Sequence, residues 1–258
     1  MITSTSNQKV KDLVQLQKKA KARNKEGVFI AEGSRMVLET PVDRIKQLYI
    51  SESYFSKGGQ ELDEKGYDFE ILSDSVFSYV SDTKTPQGIL AVVKRKEYKL
   101  EDITGVENPH LIVLDNLQDP GNLGTIFRTA EAAGVTGIVL SRDCVDIYNP
   151  KVIRSTMGAI YRMPFVYVED LLESLKVMKA RGIKTYAAHL KGKNSYDKEN
   201  YKDACAFLIG NEGNGLREEV SNAADIWIRI PMEGEAESLN AAVAAAVLMF
   251  EAARQRRQ

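Results

Sequence analysis

The sequence predicts an α/β protein in which a mostly parallel sheet, covered by helices on both faces, follows a smaller α/β domain. In the second half, near-continuous apolar runs alternate with helical patterns, which is typical of strands buried in a parallel sheet. In the first half, short strands and helices alternate more closely. A charged stretch between the halves indicates a linker. We expect domains over residues 1–96 and 109–258, joined by a linker over 97–108.

The smaller domain begins with a basic helix, expected over residues 8–22. Its other elements are predicted from short apolar runs and from the turn residues between them. The predicted strands are residues 28–31, 47–51, 69–72 and 88–93, and the predicted helices are residues 34–39 and 74–80.

The larger domain is predicted from longer apolar runs with helical patterns between them. Its predicted strands are residues 111–114, 137–140, 185–188, 206–209 and 226–230. Its predicted helices are residues 123–133, 151–159, 171–180, 216–223 and 241–255. The first turns of the last helix are nearly all Ala and Val, so another backbone can approach it closely.

The chain is almost neutral, with 35 basic and 36 acidic residues, so its overall charge does not identify a partner. The basic residues are clustered, however, and clusters in a neutral protein favour a polyanion over a small neutral substrate. The alternative is a helix face that contacts only solvent. The first cluster is Lys9, Lys11, Lys18, Lys19, Lys21, Arg23 and Lys25, and the second is Arg254, Arg256 and Arg257.

The cysteine and histidine content limits the compartment and the metal chemistry. Cys144 and Cys205 have no metal-binding or redox spacing, which fits a reducing compartment and predicts a cytoplasmic protein. With only His110 and His189, we expect no histidine-based zinc site. We also expect no membrane partner, because we find neither an apolar leader nor an apolar run of spanning length.

Three polar loops, each with glycine, lie where ligands bind in open α/β sheets, outside the carboxyl ends of strands. The first, residues 115–124, leads into a helix that carries Arg128. The second, residues 208–216, contains three glycines, which allow close backbone approach to a ligand. The third, residues 231–240, precedes the C-terminal helix, where free N–H groups point outward. The alternatives are a surface pair between Arg128 and Glu131, a simple turn and a capped core helix.

Common nucleotide and hydrolase motifs are absent from these loops. The loop after the first strand of the larger domain lacks G-x-G-x-x-G, and the phosphate-binding G-x-x-x-x-G-K-[ST] is also missing. Neither histidine has a G-x-S-x-G partner, which excludes a serine hydrolase of that type.

Together and in this order, the three loops resemble the signature motifs of the SpoU (TrmH-type) RNA 2′-O-ribose methyltransferases of the SPOUT superfamily. The matching segments are Asp119-Pro-Gly-Asn-Leu-Gly-Thr-Ile-Phe-Arg-Thr-Ala130, Ile209-Gly-Asn-Glu-Gly-Asn-Gly-Leu216, and Ile230-Pro-Met232 with Ser238-Leu-Asn240. The resemblance covers residues 109–258. The first 96 residues are more loosely similar to an RNA-binding domain of the ribosomal L30e type, through their length, their element order and the Glu32-Gly33 turn.

The resemblance implies a trefoil knot in the C-terminal segment, S-adenosylmethionine (SAM) bound in that knot, and a homodimer packed through knot helices. We also expect no metal. The matched motif positions give the candidate catalytic residues Asn122, Arg128, Glu212, Ser238 and Asn240. They give the candidate cofactor-binding residues Gly210, Ile230 and Leu239, with their neighbours Ile209 and Met232.

The resemblance therefore predicts a SAM-dependent enzyme that methylates a ribose 2′-OH in RNA. We expect ribosomal RNA of the 23S type, because the two-domain layout with a basic leading helix resembles the ribosomal members. An antibiotic-resistance methyltransferase that acts on ribosomal RNA has a similar layout and is one alternative. The others are a transfer RNA methyltransferase, an inactive RNA-binding homologue, and an unrelated nucleotide-dependent enzyme, which would leave the extra domain unexplained. Two roles stay open for Arg128, a base and a phosphate clamp. The acidic residues Glu233, Glu235 and Glu237 have no explanation in the sequence.

Overall fold

The computed structural model describes residues 1–59, 62 and 67–258. The described chain forms two compact units, which we call unit 1 and unit 2. Unit 1 consists of residues 1–96 and 146–161, and unit 2 consists of residues 97–145 and 162–258.

The helices and strands are named in chain order. The helices are α1 (Gln8–Lys18), α2 (Ala20–Glu26), α3 (Ser34–Leu38), α4 (Glu52–Tyr54), α5 (Asp74–Val80), α6 (Leu100–Thr104), α7 (Pro120–Ala132), α8 (Pro150–Thr156), α9 (Leu171–Ala180), α10 (Glu218–Ala223) and α11 (Ala241–Arg256). The strands are β1 (Val28–Glu32), β2 (Ile45–Ser51), β3 (Phe69–Leu72), β4 (Ile89–Lys94), β5 (His110–Leu114), β6 (Gly137–Ser141), β7 (Phe165–Val168), β8 (Lys184–Ala188), β9 (Asn194–Ser195), β10 (Cys205–Ile209) and β11 (Ile226–Arg229). Among the described residues, no helix combines the length and the apolar character needed to cross a membrane.

The basic N-terminal segment forms two helices, so the single helix expected over residues 8–22 is wrong. Lys19, between α1 and α2, has an extended backbone with φ −122° and ψ 114°. The Arg23 guanidinium donates to the carbonyl oxygens of Leu16 and Gln17 at 2.9 and 3.1 Å. Carbonyls in the last turn of a helix lack helical partners. Arg23 therefore fastens α2 to the end of α1, a tertiary bond that helical periodicity cannot register.

Unit 1 contains a mixed four-stranded sheet with the order β1-β4-β2-β3, which agrees with the small α/β domain expected. Of the strands that the structure describes in this sheet, β2 and β3 pair in parallel, and the other two pairs are antiparallel. Helices α1 and α5 supply Val10, Leu13 and Phe77 to a buried apolar cluster with Ile30 and Leu90 of the sheet. Because β2 and β3 run in the same direction, their carboxyl ends meet at one edge of this sheet.

Residues 146–161 belong to unit 1 through specific side-chain contacts. Asp146 accepts a hydrogen bond from the buried Arg23 at 2.6 Å. The Thr40 hydroxyl donates to the Tyr161 hydroxyl at 2.8 Å. Unit 1 therefore includes residues 146–161 as well as residues 1–96, so a single division at residue 96 does not define it.

The segment expected to be a linker, residues 97–108, contains the short helix α6. Its Ile103 is completely buried and packs in the main apolar cluster of unit 2, together with Leu111 and Val139. The charged residues around it gave the segment the composition of a linker, but burial of this one apolar side chain anchors it to unit 2.

Unit 2 is built on a parallel sheet of seven strands with the order β7-β6-β5-β10-β8-β11-β9. Every residue of β5, β6 and β10 is buried, so both faces of the sheet are covered. The predicted parallel α/β architecture is confirmed. Strands β7 and β9, which were not predicted, lie at the two edges, where short and partly exposed strands give a weak sequence pattern.

The strand order reverses between β5 and β10. Strands β6 and β7 follow β5 on one side, whereas β8 and β11 lie beyond β10 on the other. In open α/β sheets, the crevice outside the carboxyl ends at such a switch point is where ligands bind. The loops 115–119 and 210–216 both begin there. The trefoil knot of the C-terminal segment stays a prediction.

Candidate active site

A single carboxylate joins the loops that follow β5 and β10. Glu212 Oε1 accepts hydrogen bonds from the backbone N–H of Asp119 at 2.8 Å and from Asn122 Nδ2 at 3.0 Å. Its Oε2 accepts from the backbone N–H of Gln118 at 3.1 Å. Three donors therefore converge on Glu212, and hydrogen bonds to an ionised acceptor are stronger than those between neutral groups.

These bonds fix the protonation state of Glu212. Burial by itself raises the pKa of the Glu212 carboxyl, but the hydrogen bonds from Asn122, Asp119 and Gln118 outweigh burial, and the pKa lies below its usual value. The carboxylate is consequently ionised at neutral pH. Its contribution to loop stability is present above the pKa of the unfolded chain and is lost as the pH falls through the lowered pKa.

Two further contacts join the same two loops near the strands from which they emerge. The buried Asp115 accepts from the backbone N–H of Arg217 at 2.9 Å and from its Nε at 2.8 Å. Next to it, Asn211 Nδ2 donates to the carbonyl oxygen of Asn116 at 2.9 Å. The two loops are therefore held at their bases as well as at Glu212.

The amide of Asn122 is held between two groups. Because its Nδ2 donates to Glu212, its Oδ1 is left to accept, and it accepts from Asn240 Nδ2 at 2.9 Å. Asn240 in turn caps α11, since its Oδ1 accepts from the backbone N–H of Ala242 at 2.9 Å and of Val243 at 3.3 Å. A continuous hydrogen-bonded chain therefore runs from the α11 N-terminus through Asn240 and Asn122 to Glu212.

Arg128 is not part of this series of hydrogen bonds. It is exposed on α7, six residues after Asn122, which corresponds to about 9 Å along the helix axis. Glu131, its expected partner in the alternative interpretation, is bound by Arg162. Among the described residues, Arg128 has no hydrogen bond or ion pair, so its guanidinium is free to meet a ligand.

A cavity of about 330 Å³, which we call the loop cavity, opens beside the hydrogen bonds that join Asn240, Asn122 and Glu212. Seven of the predicted site residues line it: Ile209, Gly210, Glu212, Ile230, Met232, Ser238 and Leu239. Arg128, Asn122 and Asn240 are not among the residues that line it. All five predicted cofactor-binding residues therefore share one cavity, whereas the predicted catalytic residues divide between its wall and the hydrogen-bonded chain outside it.

Gly210 is required by its own loop. A Cβ at this position would lie 2.0 Å from the carbonyl carbon of Gly215 and 2.1 Å from the backbone nitrogen of Leu216. Asn211 and Gly215 exchange two backbone hydrogen bonds of 2.9 Å, which close the turn. The glycine at 210 therefore lets the loop fold back on itself, a reason different from the ligand approach that the sequence suggested.

The sequence interpretation missed a fourth loop, which follows β8. Ala188, His189, Leu190 and Lys191 also line the loop cavity. The His189 ring stacks on Trp227 with centroids 4.2 Å apart, and its Nδ1 accepts from the backbone N–H of Lys191 at 3.1 Å. Residues 185–188 were predicted as a strand, so the same strand-end rule that identified the other loops could have identified this one.

Comparison with known proteins identifies the family. Residues 109–250 match the SpoU rRNA Methylase family, and residues 7–91 match the MRM3-like substrate binding domain. The chain belongs to the SpoU rRNA methylase family. It is 36% identical over 252 residues to the 23S rRNA (guanosine(2553)-2'-O)-methyltransferase RlmP of Bacillus subtilis (strain 168), a match that covers 96% of this chain and 97% of that protein.

Two solved structures of similar proteins contain the cofactor. An AdoMet-bound rRNA methyltransferase from Sinorhizobium meliloti has a TM-score of 0.86 and 32% identity, covering 98% of this chain and 97% of that one. The SpoU methyltransferase AviRb from Streptomyces viridochromogenes, in complex with AdoMet, has a TM-score of 0.88 and 27% identity, covering 98% and 99%. The chain is accordingly an S-adenosylmethionine-dependent methyltransferase, as predicted.

The loop cavity suits this cofactor. Its volume lies at the lower end of the range of about 300 to 1,000 Å³ for small-molecule sites. Ile209, Leu216, Ile230 and Leu239 give it apolar walls for an adenine ring, and the glycine-rich turn offers backbone groups for polar atoms. Within the described residues, we find no group of three His, Cys, Asp or Glu side chains that could hold a metal ion.

Two substitutions at Asn240 separate its cap from its contact with Asn122. Asn240→Asp keeps an oxygen for the α11 N–H groups but removes the donor to Asn122, which then faces carboxylates on both sides. We expect it to keep wild-type thermal stability and to lower kcat at least about tenfold, the change produced by about 1.4 kcal/mol. Asn240→Ala should lose kcat and also about 1 kcal/mol of stability. Thermal unfolding and methyl-transfer rates of both variants check this, and full activity in Asn240→Asp would contradict it.

Proposed function

We propose that this chain transfers a methyl group from SAM to a ribose 2′-OH of ribosomal RNA of the 23S type, at the end of the loop cavity next to Glu212. The observation that carries the proposal is the hydrogen-bonded chain from Asn240 through Asn122 to Glu212 beside that cavity. The target is supported by similarity over nearly the whole chain to a protein named as a 23S rRNA 2'-O-methyltransferase. An enzyme with this substrate works where ribosomes are, so we place it in the cytoplasm.

SAM supplies an electrophilic methyl group when it is bound. The residues of the chain must align the ribose hydroxyl and help it to lose a proton. Glu212 is a poor proton acceptor, because three donors already occupy most of the about four lone-pair sites of its carboxylate and its pKa is lowered. We therefore assign it to holding Asn122 and the first loop in place. Ser238, exposed on the wall of the loop cavity, offers a hydroxyl that can orient the substrate or the cofactor.

Arg128 is assigned to the substrate phosphate. A guanidinium is protonated in proteins and donates only, so a role as base is difficult. Its fork of donors matches a phosphate in a bidentate arrangement. A clamp on the phosphate beside the reacting ribose would hold the 2′-OH in line with the methyl group. The free guanidinium on the exposed face of α7 is available for this contact.

Arg128→Ala should lower kcat by about 100-fold or more while SAM affinity stays nearly unchanged, because misplacing the reacting hydroxyl carries a penalty of this size. Arg128→Lys should retain a small fraction of activity, since a point charge keeps part of the clamp. Arg142→Ala is the matched control, because Arg142 is an exposed arginine of the same unit that pairs with Glu169. Calorimetry and single-turnover transfer measure the two effects. Wild-type kcat in Arg128→Ala would contradict the assignment.

The RNA contact is assigned to the lysines of α1 and α2, but not to every basic residue of the first cluster. Lys9 pairs with Glu70, and Arg23 is buried and bound to main-chain carbonyls and Asp146. The exposed cations of the cluster that form no ion pair with the described residues are Lys11, Lys18, Lys19, Lys21 and Lys25. Phosphate contacts by such residues release counterions and make affinity depend on salt.

The second basic cluster is largely structural. Arg254 pairs with Glu251 at 2.8 Å. Arg256 donates to the carbonyl oxygens of Asn108, Tyr201 and Asp203, so it anchors the C-terminal helix to neighbouring loops. The polyanion site that the sequence suggested near the C-terminus is therefore left with Arg257.

Replacing Lys18, Lys19 and Lys21 by Gln should reduce the slope of log affinity against log salt by about 2 to 3, since each phosphate contact contributes about 0.7 to 0.9. The control replaces Lys176, Lys179 and Lys198, which pair with acidic residues of unit 2. Fluorescence anisotropy with a ribosomal RNA fragment at several salt concentrations measures the slopes. Equal slopes in the two triple variants would contradict the contact.

A homodimer is proposed through one face of α11. Val243 and Phe250 are large apolar residues that are 48% and 45% exposed, and Val247 lies between them at helical spacing. Contiguous exposed apolar surface marks interaction sites. The other side of α11 is buried through Leu248 and Met249, so the exposed stripe is left for a second subunit.

The double variant Val243→Glu/Phe250→Glu should be a monomer by light scattering at micromolar concentration, whereas the wild type should be a dimer. Charges in an apolar interface lose their hydration without gaining partners. Val106→Glu is the control, because Val106 is an exposed apolar residue of the same unit that does not belong to the exposed stripe on α11. A monomeric wild type would refute the dimer.

A further inference from the structure

Unit 1 contains a cavity whose lining residues have no role in the site described above. Its volume is about 680 Å³. It lies at the carboxyl ends of the parallel strands β2 and β3 and beside the glycine that precedes β4. The side chains that matter most for its chemistry are Tyr54, Lys57, Asp74, Phe77 and Gln87. We call it the substrate-domain cavity, since it lies within the part of the chain that matches a substrate-binding domain.

The inner wall of this cavity is closely packed. Phe77 is 1% exposed and belongs to the core of unit 1. Gly88 has a φ of +83°, and a Cβ there would lie 2.6 Å from Ser51 Oγ and 2.9 Å from Tyr54 Cβ. A residue other than glycine would thus meet the side chains that shape the cavity. The half-buried Tyr54 lies on the wall next to this bare backbone.

The polar groups of the cavity have defined roles as donor and acceptor. Ser34 donates its backbone N–H to Gln87 Oε1 at 2.8 Å, which leaves Gln87 Nε2 to donate, and we find no acceptor for it among the described residues. The Asp74 carboxylate is held by the backbone N–H of Ser53 at 3.1 Å and by the Ser53 hydroxyl. The hydrogen bonds from Ser53 hold the pKa of Asp74 below its usual value, so it stays an acceptor. Lys57 adds a cation on the rim.

This combination matches the chemistry of one nucleotide. A nucleobase has flat faces that stack on aromatic rings and an edge that carries both donors and acceptors. Its phosphate requires a cation. We propose that the substrate-domain cavity takes one unstacked nucleotide of the RNA substrate, with the base against Tyr54, its edge at Gln87 and Asp74, and its phosphate at Lys57. This inference rests on the proposed function, since it requires that the substrate is RNA.

Stacking and phosphate contacts can be separated by salt. Aromatic stacking on a base contributes affinity that changes little with ionic strength, whereas each phosphate contact steepens the salt dependence. Loss of Tyr54 should therefore lower affinity at every salt concentration, unlike loss of the lysines of α1 and α2. Unit 2 holds the loop cavity, so SAM affinity should be independent of Tyr54.

The experiment measures binding of a 23S-type ribosomal RNA transcript to the full chain by fluorescence anisotropy at several salt concentrations. Tyr54→Leu should weaken binding by about tenfold or more with an unchanged salt slope, while Tyr54→Phe, which keeps the ring, stays within about threefold of the wild type. Gln87→Glu keeps the oxygen that accepts from Ser34 but replaces the free Nε2 donor by an acceptor oxygen. It should weaken binding to a similar extent. Tyr79→Leu is the control, because Tyr79 is 57% exposed on α5 and does not line the cavity.

Wild-type affinity in both Tyr54→Leu and Gln87→Glu would overturn the proposal, as would an equal loss in Tyr79→Leu. Thermal unfolding and SAM calorimetry accompany each variant. If Tyr54→Leu lowers the unfolding temperature, Gln87→Glu decides, since it preserves the bond to Ser34. If the wild type binds and methylates the transcript while the cavity variants do so equally well, only the cavity assignment fails. If the wild type neither binds nor methylates ribosomal RNA, the proposed function fails and the cavity assignment fails with it.

Discussion

The site depends on the carboxylate of Glu212. It accepts bonds from Asp119 and Asn122, which lie 93 and 90 positions away in the sequence, so it holds together two loops that follow different strands. Without it, the backbone N–H groups of Gln118 and Asp119 would lose their acceptor, and the amide of Asn122 would lose its orientation. The loop that carries Glu212 can take its shape only because Gly210 leaves room for the backbone of Gly215. A tight turn and one charge together define the geometry.

This arrangement divides the site into a fixed part and a free part. Glu212, Asn122 and Asn240 form hydrogen bonds with one another and with helix and loop N–H groups. They are therefore positioned before any ligand binds. Positioned polar groups need no reorganisation during a reaction. Arg128 and Ser238 have no such partners among the described residues and stay available for substrate. In the proposed reaction, the fixed residues therefore set the geometry and the free residues contact the RNA.

Sequence patterns predicted what depends on local order and missed what depends on tertiary pairing. The apolar runs located β5, β6, β8, β10 and β11, and three loops at their ends supplied every residue of the Glu212 chain. They did not separate α1 from α2, because Arg23 makes that break favourable through carbonyls of the preceding helix. The number of basic residues overestimated the surface available to a polyanion for the same reason. Lys9 forms an ion pair with Glu70, and Arg256 donates to main-chain carbonyl oxygens. The role of Gly210 needed the position of Gly215, which no pattern in the sequence contains.

Locating the transferred methyl group tests the proposed reaction most directly. Ribosomal RNA is methylated with radiolabelled SAM and the enzyme, and then hydrolysed in alkali, which cleaves only beside a free 2′-OH. A ribose methylated at that oxygen protects its phosphodiester, so we expect label in alkali-stable dinucleotides. We also expect little label with Glu212→Ala, because the loops and Asn122 lose their common acceptor. Label in mononucleotides would place the methyl group on a base, and equal label with Glu212→Ala would show that the carboxylate does not organise the site.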